Sequence, residues 1–235
     1  MDKLKEYFKD YYVLNDINGI LFWDNATNLP SDSISSRTEQ MSILSKLSDK
    51  IFRNPKVLDD LADTKNLKLS DLDQKNLKLM NDIIIRENAV DPILKTKLIE
   101  QKLKCEHLWR EARQNNDVSI IEDEFNNLLN LVHEEALQLS DITKLSPYDS
   151  LISKYDIDYN SNKIDTIFEI IQKEIIPNYL SADKINQPTV YQLTISENEI
   201  LNQTKKKLAE LNFNFAQGRI DQSHHPFCGG ANSDV

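Results

Sequence analysis

The stretch D-P-I-L-K-T-K-L-I-E-Q-K-L-K-C-E-H-L-W-R-E-A, Asp91 to Ala112, decides the fold class. Asp91 ahead of Pro92 marks a helix start: the carboxylate can accept from the first orphan amides, and proline needs no amide donor at the first helical position. Leu94, Leu98, Cys105, Leu108 and Ala112 then recur three, four or seven apart and fall on one side of that helix. The same pattern repeats outward in both directions, with almost no sustained alternation. The chain therefore reads as mainly α.

Toward the N-terminus, Leu4, Phe8, Tyr11 and Leu14 begin a first stripe that runs into Ile20 to Trp23. It stops ahead of Pro30, which biases Leu29 away from helical dihedrals. Ser31 or Ser33 caps a second helix carrying Ile34, Met41, Leu44, Leu47 and Ile51 on one side. Asn54 with Pro55 opens a third, and Ser70 with Asp71 and Asp73 a fourth. Toward the C-terminus, Asp117 or Ser119 opens a helix striped by Ile121, Phe125, Leu128, Val132 and Leu139, and Pro147 begins a more irregular stretch with Tyr148, Leu151 and Tyr155. Another helix is expected from about Ile164 to Ile176, and Pro177 and Pro188 bracket the segment after it. Ser196 and Glu199 form an S-x-x-E capping box before Ile200, Leu201 and Leu208.

The helical regime should end near Leu211. Gly218, Gly229 and Gly230 follow Phe215, whereas Gly19 is the only earlier glycine. Residues 212–235 are accordingly expected to form an irregular, Gly-rich terminal segment of the kind that lines sites. No internal repeat or Gly/Ser linker divides the chain, so 1–235 is read as a single helical unit.

Composition narrows the function classes. A chain of 235 residues can bury a sizeable core. With 28 basic against 38 acidic residues its net charge is −10, which disfavours phosphate backbones and anionic lipid as partners. Gly 4 and Pro 7 fall well under the ordinary combined usage of about 12%, a shortage that a many-stranded sheet would not tolerate. Cys105 and Cys228 lie far apart and form neither a disulfide framework nor a zinc ribbon. The N-terminus lacks a signal-peptide pattern, and no apolar run approaches the ~20 residues of a membrane span. A reducing cytoplasm is the expected compartment.

Several chemistries lack their residues. Catalytic zinc on a helix needs histidines at i and i+4 around a glutamate. His107 is followed four positions on by Glu111, and His133 by Leu137, so His133-Glu134-Glu135 reads as a solvated helix face. His224 and His225 are adjacent and diverge in any regular structure. No G-x-S-x-G elbow, dinucleotide fingerprint or P-loop is present. Cys105 sits in an apolar stripe as a structural thiol, Cys228 is assigned a packing role, and Lys205 to Lys207 form a solvated helix face.

Ordered motifs nevertheless run from end to end. Trp23, Asp24, Thr27, Pro30, Arg37 and Gln40 compare with W-D-x-x-T-x-M-P and a following arginine, although Asn25 and Leu29 replace the usual glutamine and methionine. Trp109, Ala112 and Arg113 give W-x-x-A-R, and Tyr148, Asp149, Leu151 and Tyr155 give Y-D-x-L-x-x-x-Y. Gly218, Arg219, Asp221, Ser223, His225, Pro226 and Phe227 give G-R-x-D-x-S-x-H-P-F. On these residues the sequence resembles the carboxypeptidase Taq-type family of thermostable metallocarboxypeptidases.

That resemblance implies a neurolysin-like helical fold with a deep groove, and release of amino acids from peptide C-termini by metal-activated water. In the family, H-P-F is followed by D-x-R-x-T and then by H-E-x-x-H with a downstream zinc-binding glutamate. The last residues here are Asp234 and Val235. The expectation is an N-terminal half that holds no metal and is inactive alone, with zinc or cobalt belonging to the complete enzyme. The resemblance places His225, Pro226, Phe227 and Asp234 at the substrate groove; the other reading has Pro226 and Phe227 fixing a turn against the core. Trp23, Asp24, Arg37, Trp109, Arg113, Tyr148, Asp149, Gly218, Arg219 and Asp221 count as structural motif residues. The expected partners are a separate chain with the C-terminal half, peptide substrate once complemented, and further copies of this chain. A non-catalytic helical remnant or interaction module is the alternative.

Overall fold

The structure is a computed structural model of the chain and describes residues 1–64, 67–181 and 195–231. Every regular element among them is helical. Pro188 and Asp234 lie outside the described residues. The chain divides into two units, one made of Met1–Leu151 with the segment from Ile220 onward, the other of Ile152–Arg219.

The first unit contains α1 (Asp2–Thr27), α2 (Ile34–Phe52), α3 (Pro55–Thr64), α4 (Asp71–Ala89), α5 (Pro92–Asn115), α6 (Ser119–Thr143) and all but the last residue of α7 (Pro147–Ile152). The start signals act as their chemistry requires. Asp91 Oδ1 accepts from the amides of Ile93 at 2.7 Å and Leu94 at 3.3 Å. Ser70 Oγ accepts from Asp73 N at 3.2 Å, and Asn54 Oδ1 from Lys56 N at 3.1 Å. Asp117 Oδ1 accepts from Ser119 N at 3.0 Å. Ser31–Ser33 instead form a single 3₁₀ turn, and Ser33 sits at the N-cap of α2 without a side-chain capping bond. Asn116 and Lys144 end α5 and α6 with φ of 52° and 61°, the left-handed cap.

Leu4 and Phe8 of α1 meet Phe52 of α2, Val57 of α3 and Ile84 of α4 in one core cluster. The Phe8 and Phe52 rings lie 4.9 Å apart, with Tyr11 at 4.7 Å from Phe52. A second cluster joins Val90, Leu94 and Leu98 to Leu139 of α6. Between them Lys95 reaches Asp49 at 2.7 Å and Glu87 at 2.6 Å, tying α5 to α2 and α4.

The α2 stripe is where apolar spacing misleads. Its buried residues are Arg37, Met41, Ser42, Asp49 and Phe52, while Leu47 is 41% exposed. α2 packs against α1 and α5 together, and partners such as Lys95 make polar burial tolerable on both flanks. In α6 the expected core residue Phe125 is 48% exposed, whereas Glu135, Ala136 and Leu139 are buried.

The second unit contains α8 (Ser161–Ile170), a π turn (Ile171–Ile175), α9 (Ile176–Ser181) and α10 (Glu197–Glu210). Helix was expected to stop at Pro177, yet it continues to Ser181. The wide turn, in which Ile176 N–H donates to Ile171 O, opens the ladder just where the proline ring would collide with a preceding carbonyl. Ser196 Oγ accepts from Glu199 N at 3.2 Å and starts α10. None of these helices has a buried residue, and Phe168, Ile170, Tyr179 and Leu180 are all more than half exposed. No helix among the described residues is long and apolar enough to cross a membrane.

Removing the Phe8 ring should cost about 3–5 kcal/mol, so Phe8→Ala is expected to lower the urea midpoint sharply; a near-normal midpoint would contradict its place in the core. Burial, and then the charge of Glu87, pushes the Tyr11 phenol up from 10.0 to about 12. The folded chain then holds this proton more tightly than the unfolded one, so the contribution is complete below pH about 10 and is lost as pH rises through about 12. Tyr11→Phe should flatten the alkaline fall of the urea midpoint over that window, and an equally steep fall would refute the assignment.

Candidate functional site

In the first unit the end of α1 becomes a platform. Arg37, buried on α2, donates from Nη2 to Asp24 Oδ2 at 2.6 Å, from Nε to Gln40 Oε1 at 3.0 Å, and from Nη1 to the Leu21 carbonyl. Its neighbour Trp23 donates from Nε1 to Asp221 Oδ2 at 2.6 Å. The motif residues Trp23, Asp24, Arg37 and Asp221 thus form one chain of contacts, from α2 through α1 to the terminal segment.

That segment lies along α1. Phe227 packs on Trp23 at 5.0 Å and edge-on to Phe22 at 5.7 Å. One turn back, a Cβ on Gly19 would stand 2.8 Å from the Gly230 carbonyl oxygen, so only glycine permits this approach. On the α5 side, Arg113 Nη1 donates to the His224 carbonyl at 2.9 Å, and its guanidinium sits 5.5 Å over the Trp109 ring. The His225 ring is 6.4 Å from Trp109, and its Nδ1 is bonded to the Pro226 carbonyl at 2.9 Å. A carbonyl can only accept, so that bond places the proton on Nδ1 and leaves Nε2 as a lone-pair acceptor in the neutral ring.

Phe22, Trp109, His224, His225 and Phe227 border a cleft of about 210 Å³ walled by α1, α5 and the terminal segment. Glu106 and Arg110 also line it: Asn25 Nδ2 donates to Glu106 Oε2 at 2.8 Å, while Arg110 donates to the Asn25 carbonyl at 2.8 Å and to Glu106. Sequence reasoning missed Gly19, Phe22, Asn25, Glu106 and Arg110. One signal was available: a lone glycine inside a helix costs about 1 kcal/mol against alanine and so needs a reason.

Other motif residues lie elsewhere. Tyr148 is 68% exposed on α7, whose start Ser146 caps by accepting from Asp149 N at 3.1 Å. Gly218 and Arg219 belong to the second unit. Cys105 is buried, and burial pushes its thiol upward, as suits a structural residue. Cys228 is exposed, which corrects its packing assignment: Phe227 packs onto α1 and the next side chain is left in water.

A catalytic metal would need three converging ligands. Among the described residues no group of three His, Cys, Asp or Glu side chains can hold one. Nearby, Glu106 is engaged by Asn25 and Arg110, and the His225 ring turns Nδ1 to a carbonyl. The described residues do not fit a resident metal.

Residues 3–235 match the model of the carboxypeptidase Taq (M32) metallopeptidase family. The chain belongs to that family. Thermostable carboxypeptidase 1 of Pyrococcus furiosus is 22% identical over 227 residues, covering 94% of this chain and 45% of the relative. Metallocarboxypeptidase 1 of Trypanosoma cruzi superposes with a TM-score of 0.76 at 21% identity, over 99% of this chain and 48% of the other. The crystal structure of BsuCP gives 0.82 at 20% identity, over 97% and 47%. The chain therefore spans about half the length of the M32 relatives it matches, and shares their helical fold.

Within this M32 scaffold Gly19 offers a test whose sign is unusual. Alanine in a helix interior ordinarily adds roughly 0.5–1 kcal/mol. Here Gly19→Ala would strike backbone, so it should instead lower the melting temperature and expose residues 220–231 to protease. A more stable variant with an equally protected segment would show that the close approach is absent.

Proposed function

We propose that this chain supplies the N-terminal half of a metal-dependent carboxypeptidase, one wall of its peptide groove, and that the remaining half supplies zinc or cobalt and the water it activates. The carrying observation is a family match along the whole chain that spans about half of the relatives' length. H-E-x-x-H occurs nowhere in the sequence, which supports assigning the metal to the other half. That half can lie on the same polypeptide or on a separate one. Two free thiols support action in a reducing cytoplasm.

What this half can contribute is positioning. By the family resemblance His225, Pro226 and Phe227 would border the groove, with His225 turning Nδ1 to the Pro226 carbonyl and Phe227 anchored on α1. Such groups orient a peptide and exclude water, without polarising its carbonyl as a metal does.

Mixing the chain with a polypeptide carrying the remaining half of an M32 carboxypeptidase, in the presence of zinc or cobalt, should release C-terminal amino acids from peptides. The release should vanish on chelation, and neither half should show it alone. Activity of this chain by itself, or none from a complex that has assembled, would overturn the proposal.

A further inference from the structure

The cleft of about 210 Å³ in the first unit has a composition of its own. Phe22 and Ala26 of α1, Trp109 of α5 and Phe227 of the terminal segment supply its apolar walls. Phe22 is 45% exposed, although it already touches Phe227 edge-on. A dry cavity of about 150 Å³ lined by apolar side chains is enough to take up benzene. This one has room for a ring and offers three aromatic walls, two of which, Phe22 and Phe227, already meet edge-to-face as rings prefer. Its carboxylate, Glu106, is already engaged by Asn25 and Arg110, so the cleft gives a cationic side chain no spare counter-charge.

We infer that this cleft is a side-chain subsite for an aromatic residue of a peptide substrate. The inference rests on the carboxypeptidase reading for the word substrate, and on the cleft alone for the ligand chemistry. The occupant is an uncharged ring carried on a peptide backbone, whose amides lie toward His225 and Ser223 at the polar edge. A lysyl side chain would lose its hydration there without gaining a partner, because Glu106 is already engaged.

The chain carries its own reporter. Both of its tryptophans are at this place, Trp109 in the wall and Trp23 against Phe227. Titrating the full chain with N-acetyl-phenylalanine amide should change tryptophan fluorescence saturably, and N-acetyl-lysine amide should not. Ala26→Leu, which fills the cleft, should weaken the response by about tenfold or more. Phe22→Ala, which removes an exposed wall and so spares the fold, should weaken it too, with far-UV circular dichroism unchanged. The titration is then repeated after the remaining half is added. Persistence of the response, with Ala26→Leu lowering the preference for an aromatic over an alanyl residue in kcat/KM by about tenfold, supports the subsite. No saturable response, equal response to the lysyl probe, unchanged affinity in both variants, or loss of the response on assembly would overturn it. The last result would mean that an apolar side chain of the other half fills the cleft. If assembly yields no peptide release while the binding results hold, the carboxypeptidase reading fails and the aromatic-binding cleft stands.

Discussion

One buried guanidinium settles where α1 ends. α1 carries no basic residue in its last turn, although that end bears the negative pole of the helix and the carboxylate of Asp24 as well. Arg37 brings the positive charge from α2, satisfies Asp24, and donates a further hydrogen bond to the carbonyl of Leu21. Its side chain is 8% exposed. Stripping one partner from a buried pair costs about 3–5 kcal/mol; Asp24 keeps some water, so this contact falls toward the lower figure. The last turn of α1 is thereby held in one orientation, and with it Phe22, Trp23 and Ala26.

Everything described at the candidate site depends on that orientation. Trp23 sends its indole N–H to Asp221, which draws the terminal segment back across the α1 surface from nearly two hundred positions away. Gly19 leaves room for the Gly230 backbone, and Phe227 settles between them onto two aromatic rings. On the other side Arg113 grips the His224 carbonyl. The segment is thus fixed at several points by neighbours on two helices, which is how a stretch without helix can still present His225 in one tautomer and one direction.

Much of this was legible in the sequence, for physical reasons that differ by residue. Asp91, Ser70 and Asn54 announce helix starts because capping is local and satisfies orphan amides within a few positions. The stripe of α5 was legible because Leu94, Leu98, Cys105 and Ala112 face neighbours on a single side. α2 was not, since it is flanked by α1 and α5 and buries Arg37 and Asp49 on partners distant in sequence. The run through Pro177 depends on a π turn that apolar spacing does not encode. At the site, the motif residues Trp23, Asp24, Arg37, Trp109, Arg113, Asp221, His225 and Phe227 do converge, but what joins them is long-range. Asn25 shows the limit well: its sequence position marks it only as a replaced glutamine, whereas its burial and its bond to Glu106 come from the α1–α5 packing.

The clamp between Trp23 and Asp221 carries the account. The direct measurement is hydrogen exchange and the chemical shift of the Trp23 indole N–H, followed by NMR in the chain and in an Asp221→Asn variant. The account predicts a slowly exchanging indole proton, shifted downfield by its carboxylate acceptor, that moves upfield and exchanges faster in the variant. An indole proton that exchanges as in a free peptide, and is indifferent to residue 221, would contradict it.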